Sequence, residues 1–160
     1  MSVSVRHARS TDAGDAAAVY VSSAEHHHQL DPTLYRIPDL DAVTSRYRDR
    51  LPTTDQGAAL LVGDLDGQVV GTCQVRLMPK PSGASMLKPV TVAEVDVAVL
   101  PDFRGRGVGQ ALVAHAEAWA KEHGAGRTML NAHADNVDAL HFYTERLAYR
   151  TIGTVLSKEL

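Results

Sequence analysis

The stretch "VAVLPDFRGRGVGQAL", residues 97–112, decides the fold. Two arginines and three glycines stand between a small apolar run and a helical pattern: Arg104, Gly105, Arg106, Gly107 and Gly109. A helix N-terminus presents free amides and a partial positive charge, and it therefore attracts phosphate. Glycine lets the backbone approach a ligand closely, and arginine adds hydrogen-bond donors. The stretch predicts a site for an anionic group, and a diphosphate fits it best.

Two familiar phosphate motifs are absent from the sequence. The P-loop pattern G-x-x-x-x-G-K-[ST] does not occur, and the dinucleotide pattern G-x-G-x-x-G fails because Gln110 follows where glycine is required. The remaining pattern is R-x-x-G-x-G, which runs from Arg104 to Gly109 after a strand that ends V-x-P.

Length and composition predict one globular domain, residues 1–160. The 160 residues are 44% hydrophobic and 22% charged, with a formal net charge of −3. This balance points to neither nucleic acid nor a membrane as partner, and no apolar run reaches the roughly 18 residues of a membrane helix. Cys73 is the single cysteine, which excludes an intrachain disulfide and fits a reducing compartment. A cytoplasmic protein is expected.

The chain alternates between strand and helix patterns, with a tight hairpin turn at Asp66-Gly67. The order predicts an α/β or α+β fold with a mixed sheet. The predicted elements are a strand at Val3–Val5, helices from 12 to 30 and from 39 to 50, strands at 58–65, 68–78 and 90–100, a helix from 108, a short strand from 127, a helix after Asp135 or Asn136, and a last strand at 149–160.

The stretch at 97–112 resembles the strand–helix motif of the GNAT superfamily of acyl-CoA-dependent N-acyltransferases. The resemblance implies one GNAT domain with a central, mixed, mostly antiparallel sheet of about six to seven strands flanked by about four helices. It also implies that acetyl-CoA is the co-substrate, with the loop amides on the diphosphate of coenzyme A and the strand backbone paired with the pantetheine arm. The cofactor-binding residues so implied are Val97, Ala98, Val99, Arg104, Gly105, Arg106, Gly107, Val108, Gly109, Gln110 and Asn136.

A second stretch, "NVDALHFY" at 136–143, resembles the family pattern N-x-x-A-x-x-x-Y. The resemblance places Asn136 near the pantetheine and Tyr143 near the cofactor sulfur, and helical spacing puts both on one face. The family usually closes this helix with glycine four residues after the tyrosine, followed by an aromatic residue. Here Leu147 and Ala148 precede Tyr149, so the turn is one residue longer and lacks its glycine.

Acyl transfer to an amine requires a base and a proton donor. An alkyl amine has a pKa of about 10.4, so little of it is neutral at pH 7. Glu94 and Asp96 are the candidate bases, because they share one face of a strand; the alternative is that both are ordinary solvent-facing residues. Tyr143 is the candidate acid for the leaving thiolate. His26, His27 and His28 point in different directions from a helix, so they cannot bind one metal ion together. No metal site is therefore expected.

The substrate is less well defined by the sequence. In the resembled fold the segment between the first two helices lines the acceptor site, where Asp31, Asp39 and Asp41 would suit a cationic amine or would serve as caps and turn residues. Family members that acetylate protein N-termini often carry an acid where this chain has Asn131. We therefore expect a transferase of the EC 2.3.1 type acting directly on a small-molecule primary amine. The alternatives are a peptide or protein N-acetyltransferase and a non-catalytic acyl-CoA sensor. The family resemblance also permits a homodimer.

Overall fold

Five strands form one sheet in the order β1-β2-β3-β4-β5, and every neighbouring pair is antiparallel except β4 and β5. The computed structural model describes residues 2–160. The strands are β1 (Val3–His7), β2 (Ala58–Leu65), β3 (Gln68–Leu77), β4 (Val92–Val99) and β5 (Arg127–Met129). The helices are α1 (Ala13–Leu30), α2 (Leu40–Arg50), α3 (Val108–Glu122) and α4 (Val137–His141), and a π-helical turn (Phe142–Arg146) continues α4.

The β2–β3 hairpin forms as the Asp66-Gly67 pair predicts. Asp66 (φ 54°) and Gly67 (φ 89°) both have positive φ, which suits a two-residue turn that follows the twist of the strands. Leu65 pairs with Gln68 directly across this turn.

The two faces of the sheet bury different helices. Helix α3 covers one face, where Leu112 and Ala116 pack with Val75 and Val95 in the main hydrophobic core. The close approach of α3 requires glycine at position 71, because a Cβ there would lie 3.0 Å from the Ala98 carbonyl oxygen and from Leu112. Helices α1 and α2 pack together and cover part of the other face.

Side-chain contacts fix where the first two helices begin. The Asp39 carboxylate accepts a hydrogen bond from the Ala42 amide over 2.8 Å and so caps α2. The buried Asp12 accepts two hydrogen bonds from the Arg6 guanidinium, at 2.7 and 2.9 Å, and one from the Arg9 amide at 2.7 Å. These bonds join β1 to the start of α1.

The predicted fold class is confirmed, with a correction at the C-terminal end. The sheet has five strands among residues 2–160 instead of six to seven, because the last predicted strand does not form. After Tyr149 every residue is exposed, including Ile152, Val155 and Leu156. A strand gains stability by burying one face, and this segment buries none. No helix within residues 2–160 is long and apolar enough to cross a membrane.

Candidate active site

Strands β4 and β5 pair over only three residues before they separate. The parallel pairing begins with Val92 opposite Arg127 and ends with Glu94 opposite Met129. Strand β4 then continues to Val99 with β3 on its other side, so within residues 2–160 its edge toward β5 has no further strand partner. Unpaired main-chain groups at a strand edge can bind an extended ligand as an additional strand. The predicted pantetheine-binding segment lies on this open edge.

The loop after β4 opens into the N-terminus of α3. Gly105 (φ 73°) and Gly107 (φ 82°) both adopt the left-handed conformation, and the helix begins at Val108. A Cβ atom at either glycine would meet no protein atom within 4 Å, so the space beside the loop is open. The first amides of a helix have no acceptor within it. The loop therefore has both the room and the free donors that a diphosphate requires.

The two arginines of this loop have different contacts. The Nε of Arg104 donates to the carbonyl oxygen of Val99 over 3.1 Å, which ties the loop to the end of β4. The Arg106 guanidinium lies 5.4 Å from the centre of the Phe103 ring. Both side chains are exposed beside the loop, where they can add positive charge for an anion.

Asp96 on β4 lies close enough to Tyr143, in the π-helical turn after α4, for its charge to act on the tyrosine hydroxyl. Burial, and then the charges of Asp96 and Cys73, raise the pKa of Tyr143 to about 12. The tyrosine hydroxyl therefore stays protonated across the physiological range. The structure thus places two of the predicted catalytic residues, Asp96 and Tyr143, near each other.

The environment of Asp96 differs from that of an ordinary surface carboxylate. Desolvation by the surrounding protein raises its pKa, and the nearby His27 lowers it in part. Asp96 nevertheless remains exposed to water. No side-chain hydrogen bond to this carboxylate exists within the part of the chain that the structure describes. Asp96 is therefore free to accept a proton.

Glu94 shares the face of Asp96, as predicted, but it has a partner. Its Oε2 lies 2.8 Å from a terminal nitrogen of Arg76, which is directly opposite on β3. The pair is largely exposed, so it adds little stability, but it occupies the carboxylate. The two candidate bases thus differ in their partners.

Two cavities, each of about 380 Å³, meet at Gln74 and Asp96. The first, which we call the crevice, lies where β4 and β5 separate, and Asn131 lines it. The second, which we call the tyrosine pocket, lies between the sheet and the first two helices. It is lined by α1, the α1–α2 loop and α2 through Tyr20, Ser23, Ala24, His27, Tyr35, Arg36, Pro38, Arg46 and Tyr47.

The tyrosine pocket contains residues that the sequence interpretation missed. Tyr20, Ser23, Ala24 and His27 follow the spacing i, i+3, i+4, i+7 on α1, a signal that could have identified this wall. The Nδ1 of His27 lies 2.7 Å from the Ser23 carbonyl oxygen. Because a carbonyl only accepts, Nδ1 carries the proton and Nε2 is the nitrogen left for other contacts.

The acids of the α1–α2 loop act as caps and turn residues. Asp31 accepts from the Thr33 hydroxyl at 2.6 Å and from the Leu34 amide at 3.2 Å, and Asp39 caps α2. Neither of them lines the tyrosine pocket, nor does Asp41. Tyr35, which lies in the same loop, does line the tyrosine pocket.

Asn136 and the turn after Tyr143 are both ordered by main-chain contacts. The Asn136 side chain accepts from the Ala139 amide over 3.3 Å and caps α4, so its amide nitrogen is left to donate. The extra residue in the following turn is accommodated by the π-helical turn, which inserts one residue relative to an α-helix. Ala148 takes the left-handed position (φ 57°) that glycine would favour.

Two other chemistries have no support in the described residues. Cys73 is fully buried in the main core, and burial raises its pKa to about 12, so it is a poor nucleophile. Within residues 2–160, no three side chains among His, Cys, Asp and Glu are grouped to hold a metal ion.

Comparison with known proteins agrees with this geometry. Residues 23–149 match the family model described as the acetyltransferase (GNAT) family. The chain therefore belongs to the GNAT acetyltransferase family. Streptothricin acetyltransferase A from Bacillus subtilis (strain 168) is 31% identical over 91 residues, which cover 57% of this chain. The match spans 47% of that relative, about half of its length.

Solved structures share the fold at lower identity. A mutant of the BH1408 protein from Bacillus halodurans superposes with a TM-score of 0.85 at 18% identity, covering 98% of this chain and 99% of that one. An aminoglycoside N-acetyltransferase in complex with coenzyme A gives a TM-score of 0.71 at 19% identity, covering 99% of this chain and 95% of that one.

Proposed function

We propose that this protein transfers an acetyl group from acetyl-CoA directly to the primary amine of a small molecule. One observation carries the proposal: the free Asp96 carboxylate lies close enough to Tyr143 for its charge to act on the tyrosine hydroxyl. Asp96 lies on β4, whose edge toward β5 has no strand partner beyond Glu94, and it also lines the tyrosine pocket. A donor bound along the edge and an amine in the pocket would meet at Asp96.

Coenzyme A fits the residues on the donor side. The amides from Gly105 to Gln110 would hold its diphosphate, with Arg104 and Arg106 adding charge. The edge at 97–99 would pair with the pantetheine arm, and the free amide nitrogen of Asn136 would donate to it. When bound, acetyl-CoA supplies an activated acetyl group as a thioester.

Asp96 and Tyr143 would divide the proton chemistry. Asp96 accepts a proton from the substrate ammonium, and the neutral nitrogen then attacks the thioester carbonyl carbon. The new C–N bond forms and the C–S bond breaks. The nitrogen then loses its second proton, one proton makes the departing thiolate a free thiol, and the other, accepted by Asp96, is released to solvent, so that one proton is released for each amide made. Tyr143 donates a hydrogen bond to the departing sulfur, and its pKa of about 12 keeps the donor protonated. Glu94 is the weaker candidate base because Arg76 holds it.

Three observations support direct transfer to a small acceptor. Cys73 is buried, which disfavours an acyl-enzyme. The tyrosine pocket, at about 380 Å³, is near the lower end of the range for ligand pockets, about 300–1,000 Å³. The similar proteins named above include acetyltransferases of streptothricin and of aminoglycosides.

The turn after Tyr143 bears on the sensor alternative. The extra residue in this turn is the feature that favours the alternative of a protein that binds acyl-CoA without reacting. The π-helical turn absorbs that residue and keeps Tyr143 within range of the Asp96 charge. This arrangement supports the enzyme over the sensor.

Thiol release from acetyl-CoA in the presence of a panel of amines tests the proposal. The variant Tyr143→Phe should lower kcat at least tenfold. Tyr149→Phe is the matched control, because its hydroxyl bonds only to Glu117 and Thr128, at 2.9 and 3.0 Å, and turnover should be retained. Binding of acetyl-CoA without thiol release from any amine would contradict an enzymatic function. Equal loss in both variants would exclude Tyr143 as the specific proton donor.

A further inference from the structure

We propose that the amine substrate carries an oxyanion, a carboxylate or a phosphate, several bonds away from its reactive nitrogen. The inference rests on the proposed function, since it concerns the acceptor of that reaction. The tyrosine pocket presents one acid, Asp96, and two arginines, Arg36 and Arg46. A molecule with an ammonium at one end and an oxyanion at the other matches this arrangement of charge.

The two arginines are available to a ligand. Within residues 2–160, no carboxylate lies within 4.0 Å of the guanidinium of Arg36 or Arg46. Both residues are exposed at the pocket. Arginine presents a planar set of N–H donors that matches the two oxygens of a carboxylate or phosphate. An unpaired arginine beside a ligand cavity is therefore suited to bind such a group.

Aromatic contacts hold Arg46 in position. Its guanidinium carbon lies 4.9 Å from the centre of the Tyr20 ring and 5.6 Å from that of Tyr47. The rings themselves meet edge to face at 6.4 Å. These contacts reduce the entropy lost when Arg46 binds an anion.

Tyr47 lines the tyrosine pocket together with Arg46 and Asp96. The centre of its ring lies 5.6 Å from the Arg46 guanidinium carbon. Burial raises the pKa of Tyr47, and the charges of Arg46 and Asp96 both act on its hydroxyl. The ring is therefore near both charged groups, and an aliphatic linker between an ammonium at Asp96 and an oxyanion at Arg46 would pack against it.

The same charges disfavour polycations. An aminoglycoside carries several ammonium groups at neutral pH, and two unpaired guanidinium groups would repel them. The loop acids Asp31 and Asp39 do not line the tyrosine pocket, so they are not placed to pair with those ammonium groups. The pocket therefore selects against the acceptor named for the aminoglycoside N-acetyltransferase that shares its fold.

A matched set of acceptors tests the inference with the full chain and acetyl-CoA. The set is 6-aminohexanoate, 6-aminohexyl phosphate, hexylamine and 1,6-diaminohexane, all of which present the same primary amine. We expect kcat/KM for at least one oxyanion-bearing amine to exceed that for the diamine by at least tenfold. The better of the first two substrates identifies the oxyanion as a carboxylate or a phosphate.

Variants at position 46 separate recognition from folding. Arg46→Gln should raise KM for the oxyanion-bearing amine at least fivefold more than it raises KM for hexylamine. Arg46→Glu should reverse the preference toward the diamine. Arg48→Gln is the matched control, because Arg48 is exposed on the same helix and does not line the tyrosine pocket.

The outcomes distinguish this inference from the proposed function. Thiol release with hexylamine but no advantage for either oxyanion would overturn the inference and leave the acetyltransferase in place. If an aminoglycoside or the diamine were the best acceptor, the inference would likewise be overturned and the acetyltransferase activity would remain. No thiol release with any amine would overturn the proposed function itself.

Discussion

The main-chain N–H of Tyr149 donates to the carbonyl oxygen of Tyr143 over 3.0 Å, six residues back along the chain. This bond closes a turn that contains the later part of the π-helical segment and a non-glycine residue, Ala148, with φ of 57°. The bond anchors the chain just after the candidate proton donor. The position of Tyr143 thus depends on a turn that contains backbone strain.

Ala148→Gly should stabilise the protein by about 0.5–1 kcal/mol. A left-handed conformation costs an L-residue roughly 1–2 kcal/mol, and the extra freedom of glycine in the unfolded chain offsets part of the gain. Urea unfolding followed by circular dichroism measures the change. Ala114→Gly, at an exposed position inside α3, should instead destabilise by about 1 kcal/mol. The same sign at both positions would contradict the strain at Ala148.

Asp12→Asn should lower the free energy of unfolding by about 2 kcal/mol at pH 7, because it removes charge-assisted hydrogen bonds to Arg6. The bond to Arg6 is the main reason that the pKa of Asp12 is lowered. Its stabilisation is therefore complete above the unfolded pKa, about 3.9, and is lost as the pH falls through the folded value.

Urea unfolding of wild type and Asp12→Asn at pH 7 and at pH 3 checks this sign. The difference between the two proteins should shrink at the lower pH. Asp49→Asn, an exposed change on α2, should have no effect at either pH. A difference that grew on acidification would show that the ion pair does not stabilise the fold.

Asp96→Asn should change the pH profile of kcat/KM as well as its height. In the wild type the rate rises as Asp96 loses its proton, at a pKa above the ordinary value, and then levels off. Without that base only the neutral amine reacts, so the variant's rate should keep rising toward the pKa of the amine, about 10.4 for an alkyl amine. A weakly basic amine should partly rescue the variant. A profile of unchanged shape would assign the base elsewhere.

Local patterns were sufficient for most of the elements. The Asp66-Gly67 turn, the cap at Asp39 and the helix start after Gly107 each depend on residues a few positions apart, and each forms as predicted. The prediction of a last strand was wrong because strand formation there depends on contacts with distant residues. Its residues favour strand formation, but no partner in the described part of the chain buries them.

The candidate site also contains features that adjacent residues predict and features that depend on residues distant in the chain. The glycine–arginine stretch was sufficient to indicate the family, and its backbone conformation depends on adjacent residues. The choice between Glu94 and Asp96 could not be predicted from adjacent residues, because it depends on Arg76, 18 residues away in the chain and opposite Glu94 in the sheet.

The sequence by itself therefore determined the order of strands and helices up to Tyr149, the helix N-terminus at 105–110 and the membership of the family. Tertiary structure alone decided which carboxylate remains free, which side chains line the tyrosine pocket and that Arg46 is unpaired there. The physical reason is the separation along the chain of the residues that each feature depends on. Backbone conformation follows from near neighbours along the chain, whereas charge pairing and pocket shape follow from side chains that only folding brings together.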